Sequence, residues 1–258
     1  MGRHCLLLHE ALRPKGAPIE ALVLDGFRTF EAGQYWPFDL NLLVGDSHFV
    51  YGFNDAELRR SGTQTAGQRA NRARLEAAYG RPDPQATRRA VAELVGRVVP
   101  EGASAEIRSD EHQAYPLALR SVTGRRIRHL TTSSKASRTT KNPLFPVNLA
   151  DLLLRHGSAN HKRETIAFSK RRQGALYRAA IWLVWRNYMK PRSERRRDAP
   201  PGVAIGAVDE RLTLAAVLGM RLFPWRASLS GWLERCYFGR IPTRRMLRLR
   251  RHDLAYAV

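Results

Sequence analysis

The sequence predicts an α/β protein with a mixed β-sheet, and three observations support that prediction. Three β-prone segments follow one another near the start of the chain, separated by short turns. After them, two further strand-like segments alternate with segments of helical periodicity. The chain has 258 residues, of which 43% are hydrophobic, so it is long enough to form one sizeable core or two small ones.

The first three predicted strands form an antiparallel meander. Glu20–Leu24 is β-prone and stops at Asp25-Gly26, a pair typical of turns. The next two candidates are Leu40–Val44 and His48–Phe53. Gly45-Asp46-Ser47 separates them and suits a hairpin. We therefore expect three strands that are neighbours in both sequence and space.

Helices and two more strands follow. Ala66–Tyr79 predicts a polar surface helix, and a second helix begins near Pro84 with an apolar stripe at Val91, Leu94, Val95 and Val98. The later elements are, in chain order, a strand at Ala105–Ser109, a short helix around His112–Arg120, a strand at Arg126–Leu130, a basic loop at Thr131–Lys141, a helix from Pro146 to Arg155, and an apolar helix at Gly174–Met189.

This order of elements is that of the RNase H-like fold, with helices on the faces of the sheet. We predict three parts of the chain: a polar lead-in at 1–18, an RNase H-like domain at 19–190, and a basic, mostly helical extension at 191–258. Within the extension, a helix is predicted at Arg211–Leu222 and a basic end at Arg244–Arg251.

The charge of the chain indicates a nucleic-acid partner. Lys and Arg number 44 against 23 Asp and Glu, which gives a net charge of +21. Each cation that meets a phosphate releases condensed counterions, so a surplus distributed along a folded chain favours DNA binding. An arginine-rich codon usage is the alternative explanation of the excess.

Several other classes of protein are disfavoured. Two cysteines are too few for a disulfide framework or a cysteine-based zinc site, and they fit a reduced, cytoplasmic setting. No apolar run approaches the length needed to span a bilayer, so we expect no membrane association. The sequence has no phosphate-binding Gly-rich loop ending in Lys-Ser or Lys-Thr, so no nucleotide cofactor is expected.

Two aspartates occupy matching places in the predicted sheet. Asp25 ends the first strand and Asp110 directly follows the fourth, and these two strands are neighbours in an RNase H-like sheet. Carboxylates that close repel one another unless cations lie between them. The pair therefore predicts a site for two divalent ions, Mg²⁺ or Mn²⁺, which suits in-line displacement at phosphorus.

The third acid has two candidates. Asp151 lies on the helix that begins at Pro146, with Arg155 one turn later on the same face to hold a phosphate. Glu164 lies in a basic run, where a surface salt bridge is its alternative role. Asp151 is favoured, and Glu164 stays open as the alternative.

Three blocks of sequence resemble DDE-type transposases of bacterial insertion sequences. They are Leu22–Phe27, Ile107–His112, and Arg163–Arg171 followed by Trp185–Tyr188, so that the resemblance extends over about residues 19–190. It implies that Asp25 and Asp110 are the first two catalytic acids. It also implies that the basic residues around the third block bind transposon-end DNA, namely Arg155, Lys162, Arg163, Lys170, Arg171 and Arg172.

The chain departs from the family in two places. A gapless match puts the third acid at Asn148, but some relatives have an Asn followed three positions later by an acid, which Asn148 and Asp151 fit. Such transposases usually carry a DNA-recognition module before the first strand, whereas 18 residues precede it here. We therefore expect a chain without that module, either truncated or the second product of a two-frame element.

The resemblance implies metal-dependent DNA cleavage and strand transfer, with transposon ends and target DNA as partners and a homodimer or larger assembly on DNA. Two alternatives remain open. One is a catalytically silent remnant that only binds DNA, and the other is a host RNase H-like nuclease.

Overall fold

The computed structural model describes residues 1–162, 167–193, 195, 198–227 and 229–242. Within them the sheet has five strands in the spatial order β3-β2-β1-β4-β5. The strands are β1 (Leu22–Phe30), β2 (Pro37–Gly45), β3 (Val50–Glu57), β4 (Ser104–Ser109) and β5 (Arg126–Thr131). The first three pair antiparallel, whereas β4 pairs parallel with β1 and β5 parallel with β4. The α/β class and the antiparallel meander are confirmed.

Helices cover both faces of this sheet. They are α1 (Gly2–Leu12), α2 (Ala66–Tyr79), α3 (Ala86–Val98), α4 (Ala114–Arg120), α5 (Phe145–Gly157), α6 (Arg172–Val184), α7 (Pro201–Ala204), α8 (Leu214–Gly219) and α9 (Gly231–Tyr237). Helices α3 and α4 pack together on one face, and α5 and α6 lie on the other, with α1 against α6. The predicted stripe of α3 is buried, and α2 is a surface helix with one buried residue, Leu75, as its polar sequence predicts.

The first strand is longer than the sequence indicates. It runs through Asp25 and Gly26 to Phe30, because all nine of its residues pair with β2, from Leu22 opposite Gly45 to Phe30 opposite Pro37. The prediction of a turn at Asp25-Gly26 was therefore wrong. A Cβ atom at Gly26 would lie 3.2 Å from both the Asp39 Oδ2 and the Tyr115 hydroxyl oxygen. This glycine marks a close approach of side chains to the strand and not a turn.

The segment that we expected to be a polar lead-in forms helix α1. Its central residues, Cys5 to Leu8, are buried, and three of them belong to the main core cluster. The helix forms because apolar residues dominate its middle and α6 offers an apolar surface to cover. The extension also joins this core, through Val217 of α8 and Trp232 of α9. Helix α8 is shorter than predicted, and the predicted basic end, Arg244–Arg251, lies outside the described residues.

Arg172, predicted to bind DNA, is instead a buried ion-pair residue. Its side chain is 5% exposed, and its Nε lies 3.2 Å from Asp55 Oδ2. Its Nη1 lies 2.6 Å from Glu57 Oε1. Glu31 lies 4.0 Å away on the same side of the sheet. Three carboxylates hold this cation between α6 and the end of the sheet, so it stabilises the fold and does not face a nucleic acid.

We expect Arg172→Ala to lower the free energy of unfolding by about 3–5 kcal/mol, because it leaves buried carboxylates without their cation. The neighbouring Arg171 is exposed, so Arg171→Ala should change the free energy of unfolding by less than about 0.5 kcal/mol. Urea denaturation followed by circular dichroism measures both. Equal stability of the two variants would show that the ion-pair cluster contributes nothing.

Candidate active site

The candidate site lies where β4 stops pairing with β1. The parallel register joins Leu22–Leu24 to Ile107–Ser109 and ends there. Asp25 and Asp110 are the next residues on the two strands, so both carboxylates leave the sheet at one level. Beyond this point β1 continues to Phe30 with β2 on one side and, among the described residues, no strand pairing on the other. Asp25 and Asp110 thus lie where, among the described residues, the edge of β1 loses its strand partner.

Asp25 and Asp110 are fixed by short backbone contacts. The Gly26 N–H donates to Asp25 Oδ1 at 2.7 Å, and the His112 N–H donates to Asp110 Oδ1 at 3.0 Å. Burial, together with the negative charges of Asp110 and Asp39, raises the pKa of Asp25 to about 6, although the hydrogen bond from Gly26 acts in the opposite direction. The two acids that the sequence pairs across 85 positions are therefore electrostatically coupled in the structure.

Asp151 comes to the same place from α5. It is 9% exposed, and its Oδ1 is buried without a hydrogen-bond partner. Burial raises its pKa well above the usual value, the charge of Asp25 raises it further, and Arg155 and Arg138 act in the opposite direction. Asp151 therefore lies close enough to Asp25 for their charges to interact, as a third acid requires. Glu164 lies outside the described residues, so the structure does not compare the two.

Two groups near the acids were missed by the sequence analysis. Asp39 of β2 is 4% exposed and accepts hydrogen bonds from Arg28, its partner across the β1–β2 ladder. Tyr115 of α4 is buried. Burial raises the pKa of its hydroxyl, and the negative charges of Asp25, Asp110, Asp39 and Asp151 raise it further. The only signal for Asp39 was an acid inside an otherwise apolar strand. Nothing in the sequence distinguished Tyr115 from an ordinary core aromatic residue.

Basic side chains flank the acids. Arg155 lies one turn after Asp151 and covers the ring of Phe27, with 4.8 Å between its guanidinium carbon and the ring centroid. Arg138, in the basic loop before α5, is exposed and lowers the pKa of both Asp25 and Asp151. Lys162, Lys170 and Arg171 are exposed, as DNA contacts require, and Arg163 lies outside the described residues.

The acids suit a divalent cation only in part. Among the described residues, no three His, Cys, Asp or Glu side chains are close enough together to bind one ion. Mg²⁺, however, is commonly held by one or two carboxylates, with water and substrate phosphates completing its six ligands. Asp25 and Asp151, whose charges act on each other, are the carboxylates that would hold such an ion, and the buried Oδ1 of Asp151 has no hydrogen-bond partner among the described residues.

Comparisons with known proteins assign no family. No protein-family model matches the sequence, and no curated protein is significantly similar to it. Among solved structures, one similar chain belongs to the simian T-cell lymphotropic virus intasome in complex with PP2A regulatory subunit B56 gamma. It shares 15% identity with a TM-score of 0.32, over 70% of this chain and 53% of that chain. This chain thus spans about half of its length. A similarity this low carries no argument about function.

No helix in the described parts of the chain combines the length and the apolar character needed to cross a membrane.

The raised pKa of Asp25 makes stability depend on pH. Its folded pKa of about 6 lies above the ordinary value of 3.8, so ionisation costs the folded state free energy. The free energy of unfolding therefore falls as pH rises between these two values. Asp25→Asn removes the cost and should be more stable than the unmodified protein by about 1–3 kcal/mol at pH 8, a difference that vanishes below about pH 4.

Urea titrations at several pH values, with EDTA present, measure this difference. Glu210→Gln is the control, because Glu210 is exposed and should give a difference near zero at every pH. A variant at position 25 that is less stable than the unmodified protein at pH 8 would contradict the predicted cost of burying the carboxylate.

Proposed function

We propose that this chain is the catalytic part of a DDE-type transposase with an RNase H-like fold. One observation supports the proposal most strongly. Asp25, Asp110 and Asp151 lie on three elements far apart in sequence, yet Asp25 is electrostatically coupled to both of the others. The sheet order β3-β2-β1-β4-β5, with β1 beside β4, agrees with the predicted fold.

The proposed site binds DNA through its charge. Asp25, Asp39, Asp110 and Asp151 are near enough for their charges to interact and would repel a phosphodiester, so cations have to compensate them. Arg155 and Arg138 already act on Asp151, and Lys162, Lys170 and Arg171 add exposed positive charge on the segments that follow α5. In this arrangement the basic side chains hold phosphates on both sides of the scissile bond, while the aspartates face the bond itself.

The proposed reaction is two displacements at phosphorus. A water oxygen bonds to the phosphorus at the element end, the bond to the 3′ oxygen breaks, and a 3′-hydroxyl and a 5′-phosphate remain. That 3′ oxygen then attacks phosphorus in target DNA and releases a 3′-hydroxyl of the target. Mg²⁺ or Mn²⁺, held by Asp25, Asp110 and Asp151, would neutralise the carboxylates and stabilise charge on the phosphate oxygens. The aspartates orient the reacting groups, and no protein nucleophile is required.

A second candidate function is a DNA-binding protein without catalysis. The observation that favours it is the wide spacing of the acids, since no three of the described acid, His or Cys side chains can bind one ion together. This second candidate keeps the basic surface and predicts duplex binding without cleavage.

Divalent cations should stabilise the protein through the acid cluster. We expect Mn²⁺ at a large excess over its dissociation constant to raise the free energy of unfolding by about 2–3 kcal/mol, because a ligand of the folded state stabilises it by mass action. Asp25→Asn and Asp151→Asn should lose most of this gain, whereas Asp46→Asn, an exposed acid elsewhere, should keep it. Thermal melts with Mn²⁺ and with EDTA measure the effect. An equal rise in the free energy of unfolding in all variants would show that the ion binds outside the acid cluster.

The catalytic proposal predicts Mn²⁺-dependent nicking of DNA. The substrate is a supercoiled plasmid that carries the genomic sequences on both sides of the reading frame. Asp25→Asn, Asp110→Asn and Asp151→Asn should each slow nicking by roughly a hundredfold or more, because each removes charge that positions the reaction. Asp46→Asn should retain full activity.

The same assay separates the alternatives. Loss of nicking in Glu164→Gln with full activity in Asp151→Asn would assign the third acid to Glu164 and leave the function intact. Tight plasmid binding by the unmodified protein, with nicking no faster than in Asp25→Asn, would reject catalysis and favour the DNA-binding remnant.

A further inference from the structure

A groove of about 900 Å³ opens at the bend between β1 and β2, at the opposite end of β1 from Leu22. Aromatic, basic and small polar residues line it, and they come from three parts of the chain: the two strand ends, the loop after β3, and the segment before α6. The residues that carry the argument are Arg28, Phe30, Tyr35, Arg60 and Phe168.

The backbone holds the groove open in a defined shape. The Ala32 N–H donates to the Ser169 carbonyl at 2.8 Å, and Glu31 forms an isolated parallel bridge with Ser169. These contacts fix the segment before α6 against the bend. Gly33 has φ of +139°, a conformation that side chains disfavour, so the bend itself is defined by its glycine.

Two aromatic rings of the groove, Tyr35 and Phe168, each lie beside a cation. The guanidinium carbon of Arg60 lies 5.1 Å from the centroid of the Tyr35 ring, and Lys170 Nζ lies 4.3 Å from the centroid of Phe168. Bases of a single strand stack on such rings whatever their sequence, and cations beside the rings attract the phosphates between them. The groove therefore combines the two features that single-stranded nucleic acid requires.

The charge of its lining distinguishes this groove from a second groove at the far end of the sheet. No acid is among its lining residues, and the buried Nη1 of Arg60 has no hydrogen-bond partner among the described residues. The groove of about 670 Å³ at the far end of the sheet is lined by Glu20 and Glu106 as well as by Arg126 and Arg128. Of these two grooves, the one at the bend has a buried arginine nitrogen without a hydrogen-bond partner in the described part of the chain, in a side chain that lies over an aromatic ring.

The groove is connected through Arg28 to Asp39, whose charge acts on Asp25. Arg28 lines it and also donates from Nε to Asp39 Oδ1 at 3.0 Å. Arg28 lies three positions after Asp25 on an extended strand, which is a distance of roughly 10 Å along β1. That is the length of about three nucleotide steps in B-form DNA. A DNA strand that passes the acids would therefore reach the groove within a few nucleotides.

We propose that this groove binds an unpaired stretch of the DNA strand next to the scissile phosphodiester. Its bases stack on Tyr35 and Phe168, and its phosphates contact Arg60 and Lys170. The proposal rests on the proposed function, because it takes DNA as the substrate of the acid cluster. It adds that the chain requires melted DNA, and not only duplex, beside the bond that it cleaves.

Binding is tested without metal, so that catalysis plays no part. The probe is a fluorescein-labelled oligothymidylate of about 12 nucleotides in EDTA, followed by fluorescence anisotropy. Loss of two stacking rings in the double variant Tyr35→Ala/Phe168→Ala should weaken binding by roughly tenfold or more. Phe238→Ala is the matched control, because Phe238 is also an exposed ring beneath an arginine but does not line the groove.

A second measurement needs no variant. The unmodified protein should bind an abasic strand of the same length at least about fivefold more weakly than the oligothymidylate, because the phosphates are kept and the stacking bases are lost.

Arg60→Ala should lower the salt dependence of binding, whereas Arg126→Ala, at the opposite groove, should leave it unchanged.

Two outcomes would overturn the groove proposal: equal affinity for the abasic strand, or equal losses in the Phe238 control and the double variant. Either result, together with Mn²⁺-dependent nicking, would leave the proposed function standing. The expected binding pattern without any nicking would instead keep the groove as a single-strand site and reject the transposase proposal.

Discussion

The parallel pairing of β1 with β4 covers three residue pairs, and the candidate site depends on where that pairing stops. Because the register ends at Leu24 and Ser109, the next residues on both strands are aspartates that lie side by side. A shift of one residue would turn Asp25 to the other face of the sheet, away from Asp151 on α5. The buried core on both faces opposes such a shift, so the packing of the sheet also fixes the geometry of the acids.

Charge burial is the second constraint on this region. Asp25, Asp39 and Asp151 all have raised pKa values, because burial disfavours their charged forms. The chain compensates them differently: Asp39 with the guanidinium of Arg28, and Asp151 with the nearby charges of Arg155 and Arg138. The compensation is incomplete, since the Asp151 Oδ1 has no partner. Ionisable groups with pKa values perturbed by burial and by one another are common at functional sites.

The edge of β1 joins the two functional regions that we propose. Beyond Asp25 that edge pairs with no further strand among the described residues, and it leads past Arg28 to the bend at Ala32. The acid cluster and the aromatic groove thus lie along one strand, with the Arg28–Asp39 pair between them. The buried Arg172 cluster anchors α6 against Asp55 and Glu57 of β3. Basic side chains near the acids therefore have two separate roles. Those inside the core stabilise the fold, and those at the surface are available to bind phosphates.

The sequence by itself predicted the α/β class, the meander, helices α2 and α3, and the pairing of Asp25 with Asp110, because local periodicity and strand order determine them. Only the tertiary structure decided which charges are buried. Arg172 is indistinguishable from Arg171 in sequence, yet one is enclosed by carboxylates and the other is exposed. Asp39, Tyr115 and the groove at the bend come from segments far apart in the chain. Their roles depend on long-range packing, which composition and periodicity do not encode locally.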